Sequence, residues 1–337
     1  MENLENNKAD IANENVNFGS RLDMSQLQDS IVAIKAELSS VIVGQHKMID
    51  QLLVAILSNG HVLLEGVPGV AKTITAKLLA KTLDIGFGRI QFTPDLMPSD
   101  ILGTSVYDLK KSEFEFKKGP VFSNLILIDE INRAPAKTQA ALFEVMEERQ
   151  ITIDAHTYTM AAPFLVIATQ NPIEQEGTYR LPEAQLDRFL FKISIDYPKL
   201  EEEVAILQRE HLLQSDDKLE NVRKLLTATQ IIAYQDLVKQ IIVEPHLLEY
   251  IAKIVINTRE NAFLYLGASP RASIAILNAS KGFAAIRGRD FVTPEDIKEA
   301  AIPVLQHRVI VTPEREMEGI GSIQIISQIL ESVEIPR

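Results

Sequence analysis

Gly66-Val67-Pro68-Gly69-Val70-Ala71-Lys72-Thr73 stands between a short apolar run that begins at His61 and a stretch of helical spacing from Lys72 to Thr82. A glycine-bearing loop at such a junction presents free backbone N–H groups and the positive end of a helix dipole, which suits phosphate oxygens. Lys72 is spaced to reach the outer phosphates of a nucleotide, and the Thr73 hydroxyl to hold Mg²⁺, with Ile74 next along the helix. The usual second glycine of such loops is Ala71 here. A methyl group is tolerable if that position already takes helical dihedrals, whereas Gly69 in the turn is harder to replace.

A second element bears on the same chemistry. Leu125-Ile126-Leu127-Ile128 is a buried-strand pattern closed by two carboxylates, Asp129 and Glu130. In open α/β folds ligands bind at the carboxyl ends of strands. There Asp129 would position Mg²⁺ and Glu130 would polarise an attacking water. Ala168-Thr169-Gln170-Asn171 closes a third run on an amide, and Asn171 is placed to hydrogen-bond water or the γ-phosphate. Arg188, just before a fourth run, would in a ring reach a neighbour's γ-phosphate. Arg271, in Ser269-Pro270-Arg271, opens a helix and would report nucleotide state by touching phosphate from the lid side.

The elements that must carry these residues follow from periodicity. Helical spacing begins at Leu27, Ile31, Ile34 and Leu38, and a second helix spans about Gln45 to Ser58. Runs at 61–66, 125–129, 164–169 and 189–195 alternate with helices, which suits strands buried on both faces of a mainly parallel sheet. After Tyr197-Pro198 the pattern is helical, with breaks near 214–217, 244–245, 267–270 and 293–294. Thr293-Pro294-Glu295-Asp296 carries an N-cap residue, a first-turn proline and two acids. The expected architecture is α/β with a smaller all-helical domain: a flexible tail at 1–24, a nucleotide-binding domain at 25–198 and a helical lid at 199–337.

Composition removes several alternatives. With no cysteine, disulfide, zinc-thiolate and thiol chemistry are excluded. The six histidines are scattered without a helical i, i+4 pair, so a metal role for them is not expected. No basic-then-apolar leader and no apolar stretch of bilayer length is present, so a cytoplasmic protein is expected. A formal charge of −12 weighs against a chain built to grip nucleic acid.

With those residues assembled, the chain resembles the MoxR family of AAA+ ATPases from about Ile42 to Val311. The carrying stretches are Val43 to Gln45, Gly66 to Thr73, Gln91 to Asp100, Leu127 to Pro135, Ala140 to Glu148, Ala168 to Pro172, Leu181 to Phe191 and Ser269 to Ala272. The resemblance implies Walker A for Gly66 to Thr73, Walker B for Asp129 and Glu130, and sensor 1 for Asn171. It implies an arginine finger at Arg188, sensor 2 at Arg271, and adenine contacts through the backbone of Val43. Arg180 stands where relatives often carry proline, which leaves either Arg180 or Arg188 to face the neighbour's nucleotide.

The family further implies ATP with Mg²⁺, hexameric rings, and chaperone-like work on protein clients, often ones with a von Willebrand factor A domain or in metal loading. Two insertions are expected: a hairpin at 105–118 facing the ring pore, and a second within 149–161. The alternatives are a DNA-directed motor of the same fold and a nucleotide-gated interaction module with little turnover.

Overall fold

The computed structural model describes residues 21–67, 69, 71–171, 179, 181–212 and 222–335. Residues 1–20 of the expected tail, Pro68, Val70, Arg180 and the break near 214–217 lie outside the described residues.

Helices α1 (Ser25–Val41) and α2 (His46–Leu57) bury the positions that the spacing predicts, among them Leu27, Ile31, Ile34, Ile49 and Leu52. Next come β1 (His61–Gly66), α3 (Lys72–Thr82), β2 (Phe87–Gln91) and a short α4 (Pro98–Leu102). An antiparallel hairpin follows, β3 (Gly103–Asp108) with β4 (Glu113–Lys118). Then β5 (Leu125–Asp129) leads into α5 (Ala136–Glu148) and a second hairpin, β6 (Gln150–Ile153) with β7 (His156–Thr159). The α/β part ends with β8 (Leu165–Gln170), α6 (Glu183–Leu186) and β9 (Phe189–Ile195).

Five strands form one parallel sheet in the order β2-β5-β8-β1-β9. Because all run the same way, the carboxyl ends of β1, β5 and β8 share one edge, and that edge holds the chemistry-bearing residues. β2 is a fifth strand beyond the four apolar runs. It lies at the sheet margin and alternates buried Gly88 and Ile90 with exposed Arg89 and Gln91, so it has no continuous apolar run. Central β5, by contrast, is buried at every residue.

Beyond β9 lie α7 (Leu200–Leu212), α8 (Ala228–Lys239), α9 (Pro245–Glu260), β10 (Leu264–Leu266), α10 (Pro270–Ile286), α11 (Pro294–Leu305), β11 (Ile310–Val311), α12 (Pro313–Met317) and α13 (Ser322–Ser332). This region is helical as expected except for the small antiparallel pair β10–β11, whose two or three residues are too few to show a period. Thr293 caps α11, with Asp296 accepting its N–H at 2.9 Å; Asp296 also takes Arg287 and Arg289 at 2.6 Å each.

One apolar cluster runs from Leu27 and Leu52 across Val62, Leu64 and Leu127 of the sheet to Phe283 and Val304. The other sheet face packs Ile126, Ile128 and Val166 against Leu142, Phe143 and Met146 of α5. The two hairpins touch through Ser105 and Asp154 and through the Phe116 and Tyr158 rings, 4.6 Å apart. No described helix is long and apolar enough to cross a membrane.

Candidate functional site

The phosphate loop begins where β1 ends. A Cβ on Gly66 would stand 2.8 Å from the Ile195 carbonyl oxygen, so β1 and β9 approach this closely only with glycine there. Gly69 takes φ 87° with open space around it, so dihedral preference rather than crowding favours glycine. Ala71 does not meet the condition under which a methyl group is free of cost. Its φ of 59° and ψ of 18° are left-handed, not right-handed helical, because as N-cap it turns the chain into α3. A methyl-bearing residue there costs roughly 1–2 kcal/mol. Lys72 Nζ donates to the Gly66 carbonyl at 2.5 Å, across the mouth of the loop. Thr73 and Ile74 are half-buried in the first turn of α3. Val67 packs at the margin of the core. Val43 is half-buried one residue before Gly44, which lies against the Glu202 carboxylate of α7.

Asp129 and Glu130 stand at the same edge. Asp129 is buried, takes Arg89 Nε at 2.7 Å, and receives a longer 3.4 Å bond from Thr169 Oγ1. The Glu130 N–H donates to Thr169 Oγ1 at 3.1 Å, so one hydroxyl on β8 ties both acids to the sheet. Glu130 itself sits at φ 58°, an unusual backbone conformation for a non-glycine residue. Its carboxylate accepts from Gln91 Nε2 at 2.9 Å and pairs with Arg133 Nε at 3.0 Å. Asn171 follows β8 directly and so stands at this edge too. One carboxylate and one hydroxyl, Asp129 and Thr73, form a sparse oxygen donor set. That set fits Mg²⁺, which keeps several waters and takes substrate phosphates as ligands.

Arg188 and Arg271 are at the other end of the sheet. Phe189 pairs with His61 and Ile195 with Gly66, so Arg188 is separated from the loop by the length of β1, about 17 Å at the usual rise. Helix α5 runs back from the acidic edge. At its end His61 Nε2 donates to the Met146 carbonyl at 3.1 Å, and Arg149 donates to Asn59 at 2.6 Å. Glu147 therefore lies at the amino edge, where it holds Arg271 Nη2 at 3.0 Å and stands 3.5 Å from Arg188 Nε. Arg188 Nε is buried without a hydrogen-bond acceptor. The sequence joined Arg271 to phosphate from the lid side; within one chain its side chain instead keeps company with Arg188. Burial, and then the Arg149 charge, push His61 down to about 3, so it stays neutral and Nδ1 accepts the Val166 N–H at 3.0 Å.

Next to Arg188, Asp187 binds the lid. All five N–H groups of Arg308 are engaged: Nε on Asp187 Oδ1 at 2.6 Å, and the others on the carbonyls of Asp187, Phe189, Leu190 and Val304. Ser269 Oγ adds a bond to Asp187 Oδ2 at 3.0 Å.

Sequence reasoning gave no role to Thr169, Gln91, Arg133, Glu147 or Asp187, although each falls inside a stretch that carries the family resemblance. Their signal was position within those stretches. Arg89 left no signal, since a margin-strand arginine looks like any surface charge.

Comparison with known proteins agrees with this geometry. Residues 61–191 match the model for the ATPase family associated with various cellular activities, and residues 256–329 match an AAA lid domain. The chain is 44% identical over 310 residues to chaperone MoxR1 of Mycobacterium tuberculosis, covering 89% of this chain and 81% of that protein. It is 45% identical over 299 residues to the uncharacterised protein YeaC of Bacillus subtilis, covering 89% and 92%. A crystal structure of a candidate ATPase from Cytophaga hutchinsonii superposes with a TM-score of 0.86 at 45% identity, covering 94% of this chain and 97% of that one. The sheet order, the phosphate loop, the paired acids and these relatives together establish that the chain belongs to the MoxR family of AAA+ ATPases.

Proposed function

We propose that this protein binds ATP with Mg²⁺ and hydrolyses it at a site completed by a second copy in a ring, using the cycle to remodel a protein client. One observation carries the reading: the loop with Lys72 and the acids Asp129 and Glu130 occupy one edge of the sheet, while Arg188 and Arg271 occupy the other. A head-to-tail arrangement joins the two halves, and such contacts close into rings.

In this reading the loop amides and Lys72 hold the phosphates, Thr73 and Asp129 hold Mg²⁺, and Val43 flanks the adenine. Bound Mg²⁺ would neutralise charge on the phosphates as the transition state forms. Glu130 orients and polarises water, with its backbone fixed by Thr169 and its carboxylate steered by Gln91 and Arg133. Asn171 assists at the γ-phosphate. Arg188 and Arg271, released from Glu147, meet the neighbour's γ-phosphate.

The client is a polypeptide, with a von Willebrand factor A domain protein or a metal-loading target as the finer expectation. The β3–β4 hairpin supports a protein client over DNA, because Tyr107, Leu109 and Phe114 are exposed on it. The chaperone name of the Mycobacterium relative points the same way.

The test is steady-state ATP hydrolysis against protein concentration, for wild type, Lys72→Ala and Arg188→Ala. Specific activity that rises with concentration and is lost in both variants supports the shared site. Activity independent of concentration that survives Arg188→Ala overturns it.

A further inference from the structure

Helix α7 is turned opposite to the usual amphipathic rule. Among its described positions Glu202, Ala205 and Arg209 are half-buried, while Leu200, Val204 and Leu207 are 76%, 44% and 63% exposed; Ile206, at 39%, lies between the two sets. At 3.6 residues per turn these two sets lie on opposite faces. The polar face makes the contacts: Glu202 accepts the Lys199 N–H at 2.9 Å and lies against Gly44, and Arg209 Nη1 donates to the carbonyls of Ser39 and Ser40 at 3.1 Å. Exposed Tyr197 precedes the stripe, and Glu201 and Glu203 flank it. Single surface leucines need no explanation. A helix that turns polar residues inward and an i, i+4, i+7 apolar stripe outward does, since the orientation gains apolar burial only once something covers it.

The position of α7 says what covers it. It follows β9, whose last residue pairs with Gly66, and it overlies the Val43-Gly44 segment, so the stripe borders the phosphate-loop edge. Near the arginine pair, Ile274 is exposed one turn along α10 from Arg271, and Tyr265, exposed on β10, borders a groove with Glu183 and Leu186 of α6, just ahead of Arg188. The same chain thus carries an apolar stripe beside one half of the divided site and exposed apolar side chains beside the other.

We infer that Leu200, Val204 and Leu207 seat a second copy of this chain, whose Ile274 and Tyr265 dock there when it delivers Arg188 and Arg271. The inference rests on the shared-site reading and assigns its contact surface. The contact is heterologous, stripe to arginine end, so each copy uses both surfaces and no two-fold pair satisfies them.

Because the chain has no cysteine, single-thiol variants are clean probes. Full-length Val204→Cys and Ile274→Cys proteins are mixed with a bifunctional maleimide, Mg²⁺ and a non-hydrolysable ATP analogue. The expected product is a nucleotide-dependent cross-linked pair from the mixture that neither variant gives alone. In parallel, Leu200→Ser/Val204→Ser/Leu207→Ser is compared with wild type by sedimentation. Removing three apolar side chains from the contact should raise the concentration for half-maximal assembly at least about tenfold. Circular dichroism should show an unchanged fold, because the three side chains face solvent in the single chain.

Assembly of wild type and triple variant at equal concentrations, without the cross-link, overturns the inference and leaves the shared site standing. Wild type that stays a single copy at every concentration overturns both. A Val204→Cys thiol shielded from maleimide in dilute single copies means that the chain covers its own stripe, and again the inference falls.

Discussion

Replacing Asp187 by Asn tests the junction between the nucleotide-binding part and the lid. The change keeps shape and an oxygen acceptor for Arg308 Nε, and removes one negative charge. Arg308 is 3% exposed in its side chain, and burial already holds its pKa below the usual value despite the Asp187 partner. Breaking a buried pair by neutralising one member costs about 3–5 kcal/mol. Four carbonyl bonds remain on the guanidinium, so the low end, about 3 kcal/mol, applies. For a chain of 337 residues, an unfolding entropy near 2.1 cal/mol/K per residue converts this to a fall in melting temperature of about 4–5 °C. Differential scanning calorimetry reads it directly. Arg308→Met should cost a similar amount, and Asp187→Leu/Arg308→Met should cost less than the sum of the two single losses. A melting shift under about 1 °C in Asp187→Asn, with additive losses in the double variant, would refute the claim that this pair fixes the lid beside Arg188.

Glu130→Gln should lower turnover by about 10²–10⁴ while a fluorescent ATP analogue binds within about twofold of wild type; retained turnover removes Glu130 from the base role. Ala71→Gly relieves a left-handed alanine at about 1–2 kcal/mol and adds about 0.4–1 kcal/mol of unfolded-state entropy, so the variant should be more stable by about 0.5–1 kcal/mol in denaturant titration. A loss of stability would mean that Ala71 is not left-handed in solution. His61 gives a pH dependence: below 6.5 the unfolded chain takes up a proton that the folded histidine refuses until about 3, so stability falls as pH drops through that window. At pH 5 this amounts to about 2 kcal/mol, at about 1.4 kcal/mol per pH unit. A His61→Gln protein with the same loss between pH 7 and pH 5 as wild type would assign the sensitivity elsewhere.

Much of the nucleotide edge was legible from local pattern. Lys72 and Thr73 open the helix that follows β1 and its loop, and Asp129 ends β5 with Glu130 next, because a continuous apolar run closed by a functional residue is a local signal. The hairpins at 103–118 and 150–159 also lie close to their expected places, since short alternating runs around a turn declare themselves. β2 did not, because a marginal strand containing Gly88 and Arg89 lacks an apolar run. The condition set for Ala71 could not be decided from the sequence for a related cause: side-chain type does not reveal which dihedrals a cap residue must take.

The sequence by itself determined the type of each main element, the sheet class and the residues at the carboxyl ends of its strands. These follow from periodicity and from spacing along the chain. Only tertiary structure decided that Arg271 joins Arg188 at Glu147, that Thr169 ties both acids, and that α7 turns its leucines outward. Each of those depends on residues between 39 and 124 positions apart, or on which face of a helix meets the body, and no local spacing encodes either.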